Sequence, residues 1–432
     1  MLIDSTTLSD LEVFAASDGS GGVFQLIDRT ATSRGRAALR ERLEHPSSDI
    51  GSIRSTQDAV RFLQLHPNVV NLNDRHVEAV ASYLRSNINV SATSPLGMRA
   101  EHAWMTFRYR DLLAELDQGV RATVTLLEQV SSACVALLER DAPPLIADAA
   151  KDVTTTAQLV TQASRESGSL LQLDRTLRTE CRDTIEAALE RIAELDALNA
   201  MAAATSALGF VIPELLDSAA FTLDAEGVFH PFVERAVPNP ARLSGGEPMV
   251  FLTGPNMAGK TTYMRSVALV VLLGQIGMGV PARRAQFTPV EALCTSLNPT
   301  DNLRAGLSYF LAEVMRVKQA ARILVEGRRA LVLFDEVFKG TNVRDALDAS
   351  AEVILGFARA RRSGFIFSSH LVELVAVLES TPAIRFCYFD GDIVHNAPRY
   401  TYELRDGVSD KRFGLVLLRQ AGVPELLGQI ST

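Results

Sequence analysis

Residues 254–261 read Gly254-Pro255-Asn256-Met257-Ala258-Gly259-Lys260-Thr261. This is G-x-x-x-x-G-K-[ST], a spacing whose chemistry is phosphate binding. The glycines let backbone N–H groups turn toward phosphate oxygens. A helix starting at the lysine adds its positive N-terminal end. Lys260 would neutralise the β- and γ-phosphates, the Thr261 hydroxyl would reach Mg²⁺, and Thr262 completes the binding stretch. A second pair, Asp335-Glu336, closes the apolar run Leu331-Val332-Leu333-Phe334. Alone, an acid pair after a strand is more often a capped helix start. Beside a phosphate loop, Asp335 is expected to hold Mg²⁺, mostly through water, and Glu336 to orient or deprotonate an attacking water. His370 ends a third run, Phe367-Ser368-Ser369-His370. It reads either as a polar residue bounding a strand or as a sensor of the γ-phosphate.

Each of these groups needs an element to carry it. Val250-Phe251-Leu252, Leu331 to Phe334 and Phe365-Ile366-Phe367 are short apolar runs, each followed by polar residues. They read as buried parallel strands whose carboxyl ends share one sheet edge, where open α/β sheets bind ligands. Before residue 210 the text is different. Residues 110–140 and 171–209 are poor in Gly and Pro, and Ile185, Leu189, Ile192, Leu195 and Leu198 recur at helical spacing. The expected architecture is an α/β ABC-type P-loop ATPase domain at residues 216–432, preceded by an all-α core or lever domain at 1–215. The junction falls within 210–225. Leu243-Ser244-Gly245-Gly246 looks like an ABC-type signature, but it precedes the phosphate loop and so reads as a turn. Gly306-Leu307-Ser308-Tyr309-Phe310, with Glu313 just after, lies in the correct interval.

Composition bounds the rest. A chain of 432 residues allows two or three domains at about 150 residues each. With 47% hydrophobic and 22% charged residues it is neither disordered nor low-complexity. Four scattered cysteines form no C-x-x-C pair, which argues against a zinc site or disulfide framework and for a reducing, cytoplasmic setting. The amino terminus lacks the pattern of a secretory signal. No apolar run reaches about 18 residues, so no membrane partner is expected. The net charge of −8 carries no global nucleic-acid footprint, although a local basic face is compatible with it.

Taken together, these motifs resemble the MutS family of DNA mismatch repair ATPases. TGPNMAGKTTYMR is close to that family's phosphate loop, GLSYFLAEV to its trans-acting signature, LVLFDEVFKGTN to its acid-pair segment and FSSHLVEL to its histidine loop. Phe229 to Glu234 is similar to the family's lead-in. Leu404 to Gly407, Arg412 to Leu415 and Ala421 to Pro424 are similar to its closing segment. Ile3-Asp4, Asp10 to Glu12 and Asp28 to Gly35 look like the start of its helical core. The resemblance implies ATP and Mg²⁺ as ligands and DNA as partner, with nucleoid association when bound. It also implies a homodimer in which Ser308 completes the partner's site in trans. It puts Tyr402 at the adenine-stacking position, while Ala236 or Val237 replaces an aromatic on the other side. The mismatch-reading module of the family would precede this chain's first residue, so recognition of mismatches is not expected. The competing reading is a MutS-related switch acting on branched DNA or a protein partner.

Residues 99–110 interleave Arg99, Arg108 and Arg110 with Trp104, Phe107 and Tyr109. Such a mixture can hold a nucleic-acid backbone and stack on bases. At helical spacing the aromatics read first as core. A chromosome-maintenance ATPase would need Leu-Ser-Gly-Gly inside the interval and long heptads, and the sequence has neither.

Overall fold

A computed structural model gives the fold. It describes residues 1–432 except 16–18, 20, 68, 70–71, 87–96, 98–103, 106, 298–308, 395–396, 410–417, 420, 428 and 431–432. Two compact units emerge. One comprises Met1–Leu26, Leu43–Arg54 and Leu208–Thr432, the other Ile27–Arg42 and Ser55–Ala207. The expected single cut at 215/216 therefore differs from the packing at both ends. Chain continuity suggested one cut, but the first residues add to a sheet formed much later in the sequence.

Helices appear in the order α1 (Ser5–Asp10), α2 (Val23–Ile27), α3 (Ser33–Glu44), α4 (Ile50–Leu65), α5 (Asp74–Arg85), α6 (Arg110–Leu138), α7 (Pro144–Glu166), α8 (Leu170–Thr179) and α9 (Arg182–Ala207). In the helical unit, α6 packs along α7, and α5 along α6. Leu116, Val120, Leu127, Val130, Cys134 and Leu137 form the buried stripe of α6, recurring every three to seven residues as one helix face requires. Gly119 sits mid-helix because a Cβ there would come 2.3 Å from the Tyr83 ring of α5. The residues expected to face inward on α9, Ile185, Leu189, Ile192, Leu195 and Leu198, are all buried. Asp196 on α9 is buried too. Its carboxylate accepts from Ala31 N at 3.0 Å, Thr32 N at 2.9 Å and Thr32 Oγ1 at 2.7 Å, which ties the turn before α3 to α9. By length and composition alone α6 is apolar enough to cross a bilayer, a test that core helices also pass. No unbroken apolar run underlies it: Arg121 and Glu128 interrupt the apolar stretch and are exposed.

The other unit holds strands β1 (Glu214–Leu215), β2 (Leu223–Val228), β3 (Asn239–Leu243), β4 (Met249–Thr253), β5 (Arg284–Phe287), β6 (Ala292–Ser296), β7 (Ala330–Asp335), β8 (Gly364–Ser368), β9 (Ile384–Val394) and β10 (Ala397–Asp406). Among the described residues β1, β5, β2 and β3 form a small sheet in that order, and β10-β9-β4-β8-β7-β6 a larger one. The larger sheet is parallel from β9 to β6, and only β10 runs antiparallel. β4, β7 and β8 are buried at every residue. That explains their continuous apolar text: both faces are covered, here by helices α10 (Lys260–Gln275), α11 (Tyr309–Val325) and α12 (Val343–Phe357). Phe251, Phe334, Phe365 and Phe367 anchor one face against Ile354 and Phe357 of α12.

The edge strand β6 is covered by the amino terminus. Leu2 N donates to Glu291 O at 2.7 Å and Leu293 N to Leu2 O at 2.9 Å. Asp10 accepts from Thr295 Oγ1 at 2.7 Å and Leu297 N at 2.9 Å, while Asp4 pairs with Arg316 of α11. Unpaired strand edges invite wrong pairing, and this strap closes one.

Candidate functional site

The strand order decides which loops meet. β8 lies between β4 and β7, so the loops leaving all three carboxyl ends are adjacent. Register places Asp335 opposite Ser368, and Ser368 opposite Leu252. The loop after β4 is the glycine-rich run. Gly254 has φ +130°, and a Cβ there would come 2.7 Å from Phe389 O, so only glycine fits. Gly259, at φ +103°, caps α10 with no side-chain acceptor, which leaves the first-turn N–H groups facing the loop. Ala258 is fully buried and shapes the loop from beneath.

Lys260 is 5% exposed, and its ammonium donates to Gly254 O at 2.8 Å and Pro255 O at 3.3 Å. Burial lowers its pKa, partly offset by the charges of Glu336 and Asp335. The Thr261 hydroxyl donates to Asp335, and the Ser368 hydroxyl donates to the other oxygen of the same carboxylate. Glu336 N donates to Ser368 O at 2.9 Å. Its carboxylate lies 2.6 Å from Lys339 Nζ, 3.5 Å from His370 Nδ1 and 3.9 Å from Lys260 Nζ. Burial alone would push this carboxyl up. Hydrogen bonds from His370 and Lys339, with the charges of Lys339 and Lys260, outweigh it and hold the group at about 2.

These groups face one cavity of about 680 Å³. Pro255, Asn256, Met257, Gly259, Lys260, Thr261, Thr262, Asp335, Glu336 and Tyr402 all line it, and so do Ala236 and Val237. His370 stands just outside, reaching the cavity through Glu336. Ser308 and Arg412 to Leu415 lie outside the described residues, as does Arg99. Leu243 to Gly246 makes a turn: Ser244 N donates to Glu247 O at 3.1 Å.

Four further residues shape the site, three of them unassigned by sequence reasoning. Lys339 is the closest cation to Glu336. Glu313, noted earlier only for its place after Ser308, is 2% exposed and accepts from Lys339 N at 3.3 Å and Gly340 N at 3.4 Å, which steadies the loop behind Glu336. His230 lines the cavity, and burial and the nearby Arg265 charge lower its pKa to about 4, so it is neutral. Asn239 Nδ2 donates to Tyr402 O at 2.9 Å and its Oδ1 accepts from Leu404 N at 2.7 Å. A lysine in a polar loop or an asparagine opening a strand carries no local signal of such a role. The glutamate does have a local signal, since it stands among apolar neighbours in Leu311-Ala312-Glu313-Val314-Met315, but it was read only for its place after Ser308.

The donor set suits a hard divalent cation. Thr261 and Asp335 offer one hydroxyl and one carboxylate, and Mg²⁺ commonly takes one or two protein oxygens and fills its octahedron with water and phosphate. Among the described residues no cluster of three or more His, Cys, Asp or Glu forms a metal cage of its own.

Comparison with known proteins bears on most of the chain. MutS domain III matches residues 6–208, and MutS domain V matches residues 250–430. The chain belongs to the MutS family. It is 34% identical over 261 residues to a DNA mismatch repair protein MutS of Natronomonas pharaonis. That match covers 56% of this chain and 29% of the relative, so the chain corresponds to under a third of that protein's length. The MutS domain V match holds the glycine loop, the acid pair, His370 and Tyr402, and the domain III match holds the helical unit.

Proposed function

We propose that this chain is an ATP-binding and ATP-hydrolysing switch of the MutS type. Its sheet unit would be an ABC-type P-loop ATPase, and its helical unit a lever coupling nucleotide state to a grip on DNA. The observation that carries the reading is the convergence of Lys260, Thr261, Asp335 and Glu336 on one cavity. Lys260 would hold the β- and γ-phosphates, and backbone N–H groups of the loop and of the first turn of α10 would meet their oxygens. Thr261 and Asp335 would hold Mg²⁺, which supplies charge neutralisation at the phosphates. Tyr402 stacks on the base from one side. Glu336, held ionised, is a weak base. Its work is to accept a hydrogen bond from the attacking water and orient it in line. His370, within reach of Glu336, senses the γ-phosphate. Ser308 of a second copy completes the site.

Steady-state hydrolysis with Glu336→Gln tests this. Hydrolysis falls by about 10²–10⁴-fold while ATP binding persists. Equal rates in the two proteins would remove Glu336 from its role. DNA is the proposed partner. Competition among matched, mismatched and junction duplexes then separates a mismatch reader from a branched-DNA switch.

A further inference from the structure

Trp104, Phe107 and Tyr109 were expected in the core, and the structure puts them outside. Trp104 is 54% exposed, Phe107 91% and Tyr109 44%. Burying one such ring is worth about 1.5–3 kcal/mol, so three exposed rings within six residues forgo a large stabilisation. The residue that turns inward is Met105, 5% exposed, and Tyr109 N donates to its carbonyl at 2.8 Å. That hydrogen bond fixes the turn leading into α6 and directs the aromatics outward. The Trp104 and Tyr109 rings meet edge to face, centroids 5.0 Å apart, so each steadies the other without burial.

Arg108 and Arg110 interleave with these rings and are exposed. Among the described residues no carboxylate lies within ion-pairing distance of either guanidinium. The nearest acids in sequence, Asp111 and Glu115, begin the helix beyond them. The patch thus offers π faces beside unpaired guanidinium groups. A lipid surface favours a continuous apolar face, and here an arginine follows each of Phe107 and Tyr109. Two copies meeting through this patch would bring like charges together. A double helix keeps its bases stacked and closed to the rings. Unpaired bases joined by phosphodiesters match both features.

We propose that Trp104, Phe107, Arg108, Tyr109 and Arg110 form a binding site for single-stranded nucleic acid. The rings stack on unpaired bases, and the two guanidinium groups hold the phosphates. The site stands on its own observations and does not depend on ATP chemistry.

Trp104 is the sole tryptophan of the chain, so its emission reports the site directly. The full chain, without nucleotide, is titrated with an oligothymidylate of about 15 residues, the same length of blunt duplex, and phosphatidylserine vesicles. The single strand is expected to quench Trp104, and the duplex and vesicles to leave it unchanged. Phe107→Ala weakens the single-strand affinity about tenfold, and Phe107→Tyr restores it. The Arg108→Ala/Arg110→Ala double variant flattens a salt dependence expected at a log–log slope of about −1.4 for two phosphate contacts. These exposed substitutions leave the fold intact. Any of the following overturns the proposal: no quenching by the single strand, quenching of Trp104 as strong by the duplex, a vesicle-induced blue shift in its place, an emission change on concentrating the protein alone, or affinity indifferent both to Phe107→Ala and to the double arginine variant. ATP hydrolysis is measured separately, so failure here and failure of the ATPase reading are distinguishable.

Discussion

Tyr402 owes its direction to Asn239. At φ +57° it occupies a backbone region that costs a bulky residue roughly 1–3 kcal/mol, and it does so within a register shift between Tyr400 and Leu404. Asn239 spans that bulge with one hydrogen bond to each side, so the ring stays over Gly259. Met257, Glu336 and Phe338 also have positive φ, so the backbone at this site is held away from its ordinary minima by its surroundings. Asn239→Ala removes both hydrogen bonds and lets the bulge relax. The expected result is a KM for ATP raised about tenfold with kcat unchanged, because stacking is a uniform binding contribution. In a Tyr402→Ala background the same substitution adds nothing further. An equal penalty in both backgrounds would make Asn239 a general structural residue. The glycine loop, the acid pair and His370 were legible because their spacing is local. Asn239 was visible only as a landmark, since its partner lies 163 residues away and no periodicity connects them.

Strands β4, β7 and β8 were legible as elements because burial on both faces leaves an unbroken apolar run, and their order follows from the need to bring three polar strand ends together. The strap formed by residues 1–10 was not legible. Its residues, MLIDSTTLSD, were read as the start of the helical core, whereas their role comes from Asp4 and Asp10 reaching residues far downstream. Asp4 gives this strap a pH dependence. Burial pushes its carboxyl up, but hydrogen bonds from Arg316 and Thr7, with the Arg316 charge, bring it down to about 2 from an ordinary 3.8. A depressed carboxyl stabilises the fold above its unfolded pKa and loses that contribution as pH falls through the folded one. Asp4→Asn is therefore expected to cost about 1–2 kcal/mol at pH 7, discounted for partial solvent screening. The gap between variant and wild type closes as pH drops from about 4 toward 2. Urea denaturation at pH 7 and pH 3 measures it. A gap of the same size at both values would show that Asp4 contributes by shape rather than charge.

At the scale of the molecule, the sequence located one change of character near residue 210, and the helical unit does end at Ala207. It could not reveal that residues 1–26 and 43–54 return to the sheet unit, because nothing in those short helices differs in composition from their neighbours. A second whole-molecule property follows from what the cavity leaves uncovered. Met257 is 73% exposed and Val233 46%, both on the cavity lining, and each would gain by burial once a second sheet unit closes over the nucleotide. On the proposed ATPase reading, Glu336→Gln keeps ATP and is expected to run as a monomer without nucleotide and at twice that mass by light scattering with Mg-ATP. Met257→Glu in the same protein restores the monomer, since a carboxylate would then have to be buried unpaired beside phosphate. An unchanged mass on adding Mg-ATP would rule out closure by a second copy and leave the cavity as a single-chain site.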